Sequence, residues 1–220
     1  MGVTGYDAAD PFRVTCCPER LDEPLRMKTP GLIGVSLMGD LLHPDVPIEF
    51  IRQVFDTMRQ ADWHTFVLLT KRPNRLCSCL SILDLGGKRT DNLWCGTSIE
   101  SREFLHRIDV VHQFICGVRF VSFEPLLYPI GMVERRTMNG TVNLNTIDWV
   151  IAGCESGPNA RPMECNWVRE IRDQCVAVGV PFFFKQAYCG RIVSMPELDG
   201  RVWAEMPKQT CHLAQTRSDE

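Results

Sequence analysis

"IDWVIAGCESGPNARP", residues 147–162, opens as an apolar run and breaks off in Gly153, Cys154, Glu155, Ser156 and Gly157. It reads as a strand buried on both faces, as in parallel sheets covered by helices, with a carboxylate at the point where the strand leaves the core. The same pattern recurs along the chain. "GLIGVSLM" from Gly31, "HTFVLLT" from His64, "NLWCGTS" from Asn92, "VRFVSF" from Val118 and "VPFFFK" from Val180 are further apolar runs. They are spaced at about thirty residues, the length of a βα unit.

Helical periodicity fills the gaps. After Pro47, which suits a first helical turn, Ile48, Ile51, Val54, Phe55 and Met58 share one face. A second helix is expected from Asn166 as N-cap, burying Trp167, Ile171, Cys175 and Val178 and stopping at Gly179. Ser101 caps a third, carrying Phe104, Leu105, Ile108 and Val111. Strands alternating with helices give an α/β fold with a parallel sheet, either a partial (β/α) barrel of about six βα units or an open doubly wound sheet. Six units are too few for an eight-fold barrel. Hairpins are expected at Asn139-Gly140 and Asp199-Gly200. The expected organisation is one domain over residues 1–207 and a polar, mobile tail over 208–220.

Composition names no partner: the chain is 45% hydrophobic and 23% charged, and its formal net charge of −3 gives no general attraction to nucleic acid or anionic lipid. No apolar run approaches the ~20 residues of a membrane span, and the first residues lack the pattern of a signal peptide, so a cytoplasmic protein is expected. The 11 cysteines, an odd number in a chain of this size, read as reduced thiols. Cys95, Cys154 and Cys175 fall inside apolar patterns as small hydrophobes. Cys16-Cys17 and Cys77-x-Cys79 lack zinc-ribbon or redox spacing.

In parallel α/β folds ligands bind beyond the carboxyl ends of the strands, where the loops converge. Taken in strand order, those ends carry Asp40, Lys71 and Arg72, Ser98 and Glu100, Glu124, Glu155 with Ser156 and Arg161, and Lys185. These ten are the candidate ligand-binding residues. Such a rim suits a zwitterionic or phosphorylated ligand, or a metal held by the carboxylates. The alternative is structural: Lys71, Arg72 and Lys185 would only neutralise Glu100 or Glu124 around the mouth. His43 is read as part of a turn, and "TKRPNR", with Lys71, Arg72 and Arg75, as a short basic loop. No catalytic residue is assigned.

The ordered segments "RLDEPLRMKTPGLIGVSLMGDLLHPDVPIEFIRQVFDTM", "HTFVLLTKRPNRL", "LWCGTSIES", "RFVSFEPLL", "DWVIAGCESGPNARPM" and "VPFFFKQ" together resemble a phage- and bacterium-encoded family of unknown function (domain of unknown function 5131), usually described as radical-SAM-like. The resemblance spans Arg20 to Pro207. It implies a partial (β/α) barrel like that of radical S-adenosylmethionine enzymes, in which cysteines spaced C-x-x-x-C-x-x-C hold a [4Fe-4S] cluster. S-adenosylmethionine is therefore the candidate cofactor. The cluster is not expected from this chain alone, because the corresponding region offers only Cys16-Cys17.

Three functions are open on these grounds. One is a cluster-less barrel that binds a ligand or a partner, the partner being a protein of the bacterial host or a nucleic acid. Another is a radical enzyme whose cluster ligands lie outside this chain. The third is a metal-dependent hydrolase or lyase using Asp40, Glu100, Glu124 and Glu155 around a divalent ion.

Overall fold

The structure, a computed structural model, describes residue 10 and residues 13–36, 39–82, 91–138 and 140–208. A short helix, α1 (Glu23–Arg26), precedes β1 (Leu32–Val35). There follow α2 (Ile48–Gln60), β2 (Thr65–Thr70), α3 (Pro73–Ile82), β3 (Leu93–Ser98), a 3-10 turn at Arg102–Arg107 that runs into α4 (Ile108–Val111), and β4 (Val118–Phe123). A hairpin of β5 (Glu134–Thr137) and β6 (Gly140–Asn143) leads to β7 (Trp149–Gly153), α5 (Cys165–Val178) and β8 (Phe182–Tyr188). Beyond these lie β9 (Ile192–Ser194), β10 (Glu197–Leu198) and β11 (Arg201–Val202).

Each of the six apolar runs contains a strand, and these lie side by side in the order β1-β2-β3-β4-β7-β8, all parallel, with β9 antiparallel at the edge. The order never reverses, as it must in a doubly wound sheet. With crossovers of one hand, it sends every helical connection to the same face, and the sheet curls into a half-barrel.

Packing separates the two faces. Outside, Ile51, Phe55 and Met58 of α2, Leu76 and Cys79 of α3, Ile108 of α4 and Ile171 of α5 share one core with alternate strand residues such as Phe66, Leu68, Val121 and Phe182. Inside, Trp94, Val118, Phe120 and Trp149 form a separate cluster, with Val67, Leu69, Ile151 and Phe183 against it. Trp149 meets Trp94 and Phe183 edge-on at centroid distances of 5.8 and 5.9 Å, geometries that add about 0.5–1.5 kcal/mol each beyond burial. Trp149 Nε1 donates to the Glu205 carbonyl at 2.9 Å, while Phe184 N donates to Trp203 O and Glu205 N to Phe182 O. The last described segment is thereby sewn to β8, and the amino-terminal half of the concave face is filled. Alternation along the strands then places Ser98, Ser122, Gly153 and Lys185 on the carboxyl half of that face.

Some local readings change. His64 lies just ahead of β2 and is fully buried. Gly31 N donates to its Nδ1 at 3.1 Å, so Nε2 carries the proton, 3.1 Å from both Pro24 O and Met27 O; the ring clasps α1 to the sheet. Helix α5 starts at Cys165, with Glu164 rather than Asn166 in the N-cap position. Asn166 instead accepts from Arg169. Val178 is exposed, because it sits in the last turn before Gly179, which takes a left-handed φ of 73°. Ser101 makes no capping hydrogen bond to the 3-10 turn it precedes. Both hairpins form: β5 pairs with β6, Asn139 itself lying outside the described residues, and β10 pairs with β11 across Asp199 and Gly200. Cys95, Cys154 and Cys175 are buried as read. The tail from residue 209 is outside the described residues, and among those described no helix is long and apolar enough to cross a membrane.

Candidate functional site

The carboxyl ends of β1, β2 and β3 surround a pocket of about 260 Å³. Ser36, Gly39 and Asp40 enter it from the segment after β1, Leu69 and Thr70 from β2, with Lys71 just beyond, and Ser98 from β3. Asp40 is fixed on several sides. Its Oδ1 accepts from Leu42 N at 3.0 Å and from Thr70 Oγ1 at 3.1 Å, and its Oδ2 lies 3.3 Å from Arg72 Nε. The first contact is the turn chemistry expected of an aspartate two residues ahead of an amide; the others bind the turn after β1 to the end of β2. Arg75 completes that junction by donating to the carbonyls of Leu42, His43 and Val46. His43 also serves the turn, its Nδ1 accepting from Asp45 N at 3.3 Å.

Glu100 is a buried carboxylate, 6% exposed, flanked by two cations. Oε1 is 2.5 Å from Lys71 Nζ, and Oε2 accepts from Arg107 Nη1 at 3.0 Å. Arg107 Nη1 also donates to the Ser98 carbonyl at 2.7 Å, which ties the pair to the end of β3. An ion this deep is stable only when its desolvation is offset by close partners, and Glu100 has one for each oxygen.

Farther round the mouth, Lys185 Nζ donates to both oxygens of Glu124, at 2.8 and 3.0 Å. The carboxylate lies over Gly153, where an added Cβ would stand 3.3 Å from the Glu124 carboxyl carbon. A side chain there would crowd the Glu124 carboxyl and Gln186 Cγ. Glu155 proves to hold its own loop: Arg161 grips both its oxygens, at 2.7 and 2.9 Å, and adds its backbone amide at 2.9 Å. Those hydrogen bonds, led by the guanidinium, lower the Glu155 carboxyl from its ordinary 4.5 to about 2. Ser156 lies exposed in the same loop.

The expected rim therefore resolves into four ion pairs, Asp40–Arg72, Lys71–Glu100, Glu124–Lys185 and Glu155–Arg161. Of the ten residues singled out by position, Asp40, Lys71 and Ser98 line the pocket. Arg72 and Glu100 touch them, Glu124 and Lys185 form their own pair, and Glu155, Ser156 and Arg161 belong to a separate loop. Asp40, Glu100, Glu124 and Glu155 each pair with a different cation. Among the described residues no group of three or more His, Cys, Asp or Glu side chains is placed to hold a metal ion. Within "TKRPNR", Lys71 and Arg72 each pair with a carboxylate and Arg75 donates to backbone carbonyls, while the Lys71 side chain stays 56% exposed. Arg107 and Ser36 escaped the sequence reading. Arg107 sits within a 3-10 turn, not at a strand end, and Ser36 looked like the continuation of β1, yet it turns out of the strand with a φ of 51°.

The family model described as "Protein of unknown function (DUF5131)" matches residues 3–207. No curated protein and no solved structure gives a significant match. With the whole half-barrel, from β1 to the segment that closes β8, inside that match, the chain belongs to the DUF5131 family.

Proposed function

We propose that the protein is a small-ligand-binding half-barrel, working as a binding or interaction protein, whose ligand sits at the carboxyl ends of β1–β3. One observation carries this reading: the pocket there draws charged groups and hydroxyls from three successive strand ends. A concavity with a few convergent polar groups, at the end of a parallel α/β sheet, is where ligands are expected. The opposite end of the concave face is filled by the Trp94, Phe120 and Trp149 cluster.

The finer reading, a phage-type barrel of the radical-SAM kind whose partner is a host protein, rests on the order of the sequence motifs. A [4Fe-4S] cluster of that kind needs three thiolates. Cys16 and Cys17 are adjacent; Cys16 packs against the core, and burial, followed by the neighbouring Cys17, pushes its thiol up. This pair by itself does not make a three-thiolate set; the proposed binding role rests on the pocket at β1–β3.

Calorimetric titration of wild type and Gly39→Trp tests the proposal, with S-adenosylmethionine and a panel of small phosphates, carboxylates and amino acids as ligands. A Cβ at Gly39 meets nothing within 4 Å, so a side chain can be added at this pocket-lining position without a clash at its root. The expected result is binding of at least one ligand by wild type and loss of about tenfold or more in affinity, at least ~1.4 kcal/mol, in the variant. Unchanged affinity would place the ligand elsewhere. Iron and sulfide are assayed on the same anaerobically purified sample, where about four irons per chain would establish the radical enzyme instead.

A further inference from the structure

We infer that the pocket takes a small oxyanion, a phosphate or carboxylate group, with Lys71 as its anchoring cation; this rests on the pocket being the ligand site. On the acceptor side, Asp40 Oδ1 already receives Leu42 N and Thr70 Oγ1, and Oδ2 is in an ion pair with Arg72 Nε at 3.3 Å that lacks hydrogen-bond geometry. An incoming ammonium would have to compete with Arg72 for that oxygen. Both oxygens of Glu100 are also occupied, one by Lys71 and one by Arg107.

The donors are in the opposite condition. Lys71 Nζ has three N–H groups, and its one ion-pair partner among the described residues is Glu100. Its side chain is 56% exposed at the pocket, so the remaining N–H groups are open to a ligand. Ser36 and Ser98 line the same space, and neither hydroxyl makes a hydrogen bond among the described residues. Ser98 pairs in register with Ser122, which is only 1% exposed and whose Oγ has no partner. A buried hydroxyl left without a partner is uncommon in a finished core, and this one lies on the same sheet face as the pocket's Ser98. Ser36 reaches the pocket with a left-handed φ of 51°, a conformation that non-glycine residues hold only where their surroundings enforce it.

Local charge points the same way. Glu100 with Lys71 and Arg107 makes a group of two cations against one carboxylate, while Asp40 and Arg72 form a separate, balanced pair. Because Glu100 shares its single charge between Lys71 and Arg107, the ammonium at the mouth is only partly neutralised. An oxyanion there completes the charge balance and accepts from Lys71 and from hydroxyls that have no other work, whereas a cation adds repulsion at short range.

Titration calorimetry with inorganic phosphate, acetate, glycine and methylamine tests this on wild type, Lys71→Met, Lys71→Arg and Lys185→Met. Phosphate, acetate or both should bind wild type, and methylamine should not. Preference for phosphate over acetate identifies a phosphate ester as the natural group, and the reverse a carboxylate. Lys71→Met should weaken binding about tenfold, the worth of one charge-assisted hydrogen bond. Lys71→Arg should stay near wild type, and Lys185→Met, on the separate pair at the same mouth, should change affinity less than twofold. The double variant Lys71→Met/Glu100→Gln removes both charges together and must show the same loss, which guards against an effect of an unbalanced buried carboxylate. Phosphate and acetate binding equally well to wild type and Lys71→Met overturns the inference, as does binding of glycine or methylamine alone, which would leave the pocket proposal standing. Failure of these probes and of the wider ligand panel would remove both.

Discussion

Glu100→Ala should lower the unfolding free energy by about 3 kcal/mol, the low end of what breaking a buried ion pair costs. The reason lies in what is left behind. Lys71, half in water, can turn outward when its partner goes. Arg107 cannot: its side chain is 13% exposed and its Nη1 would keep only the Ser98 carbonyl. Urea denaturation of wild type, Glu100→Ala and Glu100→Gln measures this, and the glutamine variant should lose less because its amide oxygen still accepts from Arg107. The loss should depend little on salt, since the Glu100–Arg107 contact is shielded from solvent. A change below about 1 kcal/mol for the alanine variant would mean that burying this carboxylate costs as much as its two cations return.

Gly96→Ala is the second large effect. An added Cβ at Gly96 would stand 2.5 Å from two atoms of the Phe120 ring and 2.6 Å from a third. The ring has nowhere to go, because it is itself buried and packed against Trp149 at 5.7 Å between centroids. Interiors are close-packed, and a methyl forced into such a place costs about 1–3 kcal/mol; the upper end is expected here. Since Gly96 lies two residues before Ser98 on the same face, the variant should also disturb the pocket. Gly96→Ala/Phe120→Leu, which makes room for the methyl, should recover part of the stability. If the double variant is no better than the single one, the glycine is not there to admit the phenylalanine.

The strands were legible because each is apolar nearly throughout; β3, β4 and β7 are buried on both faces, whereas β2 buries only alternate residues fully. Their parallel direction followed from spacing; their order, which separates the half-barrel from a doubly wound sheet, did not. The ends of the strands were legible only as positions. That Lys71, Glu100 and Lys185 lie near the mouth could be read, but not which carboxylate each would meet, because partnership across a curled sheet depends on register and on how far each side chain reaches. Glu155 shows this most clearly: its place at a strand end suggested the common rim, and its actual partner is six residues on, in its own loop. Arg107 was hidden for a related reason, since nothing in a helical segment announces that a carboxylate seven residues earlier will be buried and need a second cation. His64 was assigned to a strand by the apolar residues after it, whereas its role is fixed by carbonyls near residue 25, far away in sequence.

The central claim is that the pocket between β1, β2 and β3 is where this protein binds its ligand. Amide chemical-shift mapping tests it directly, with inorganic phosphate, acetate and S-adenosylmethionine titrated separately into isotope-labelled wild type. For at least one of them the largest shifts should fall on Gly39, Asp40, Lys71 and Ser98. Shifts concentrated in the Glu155–Arg161 loop or along β9–β11, or no shifts with any of the three, would contradict it.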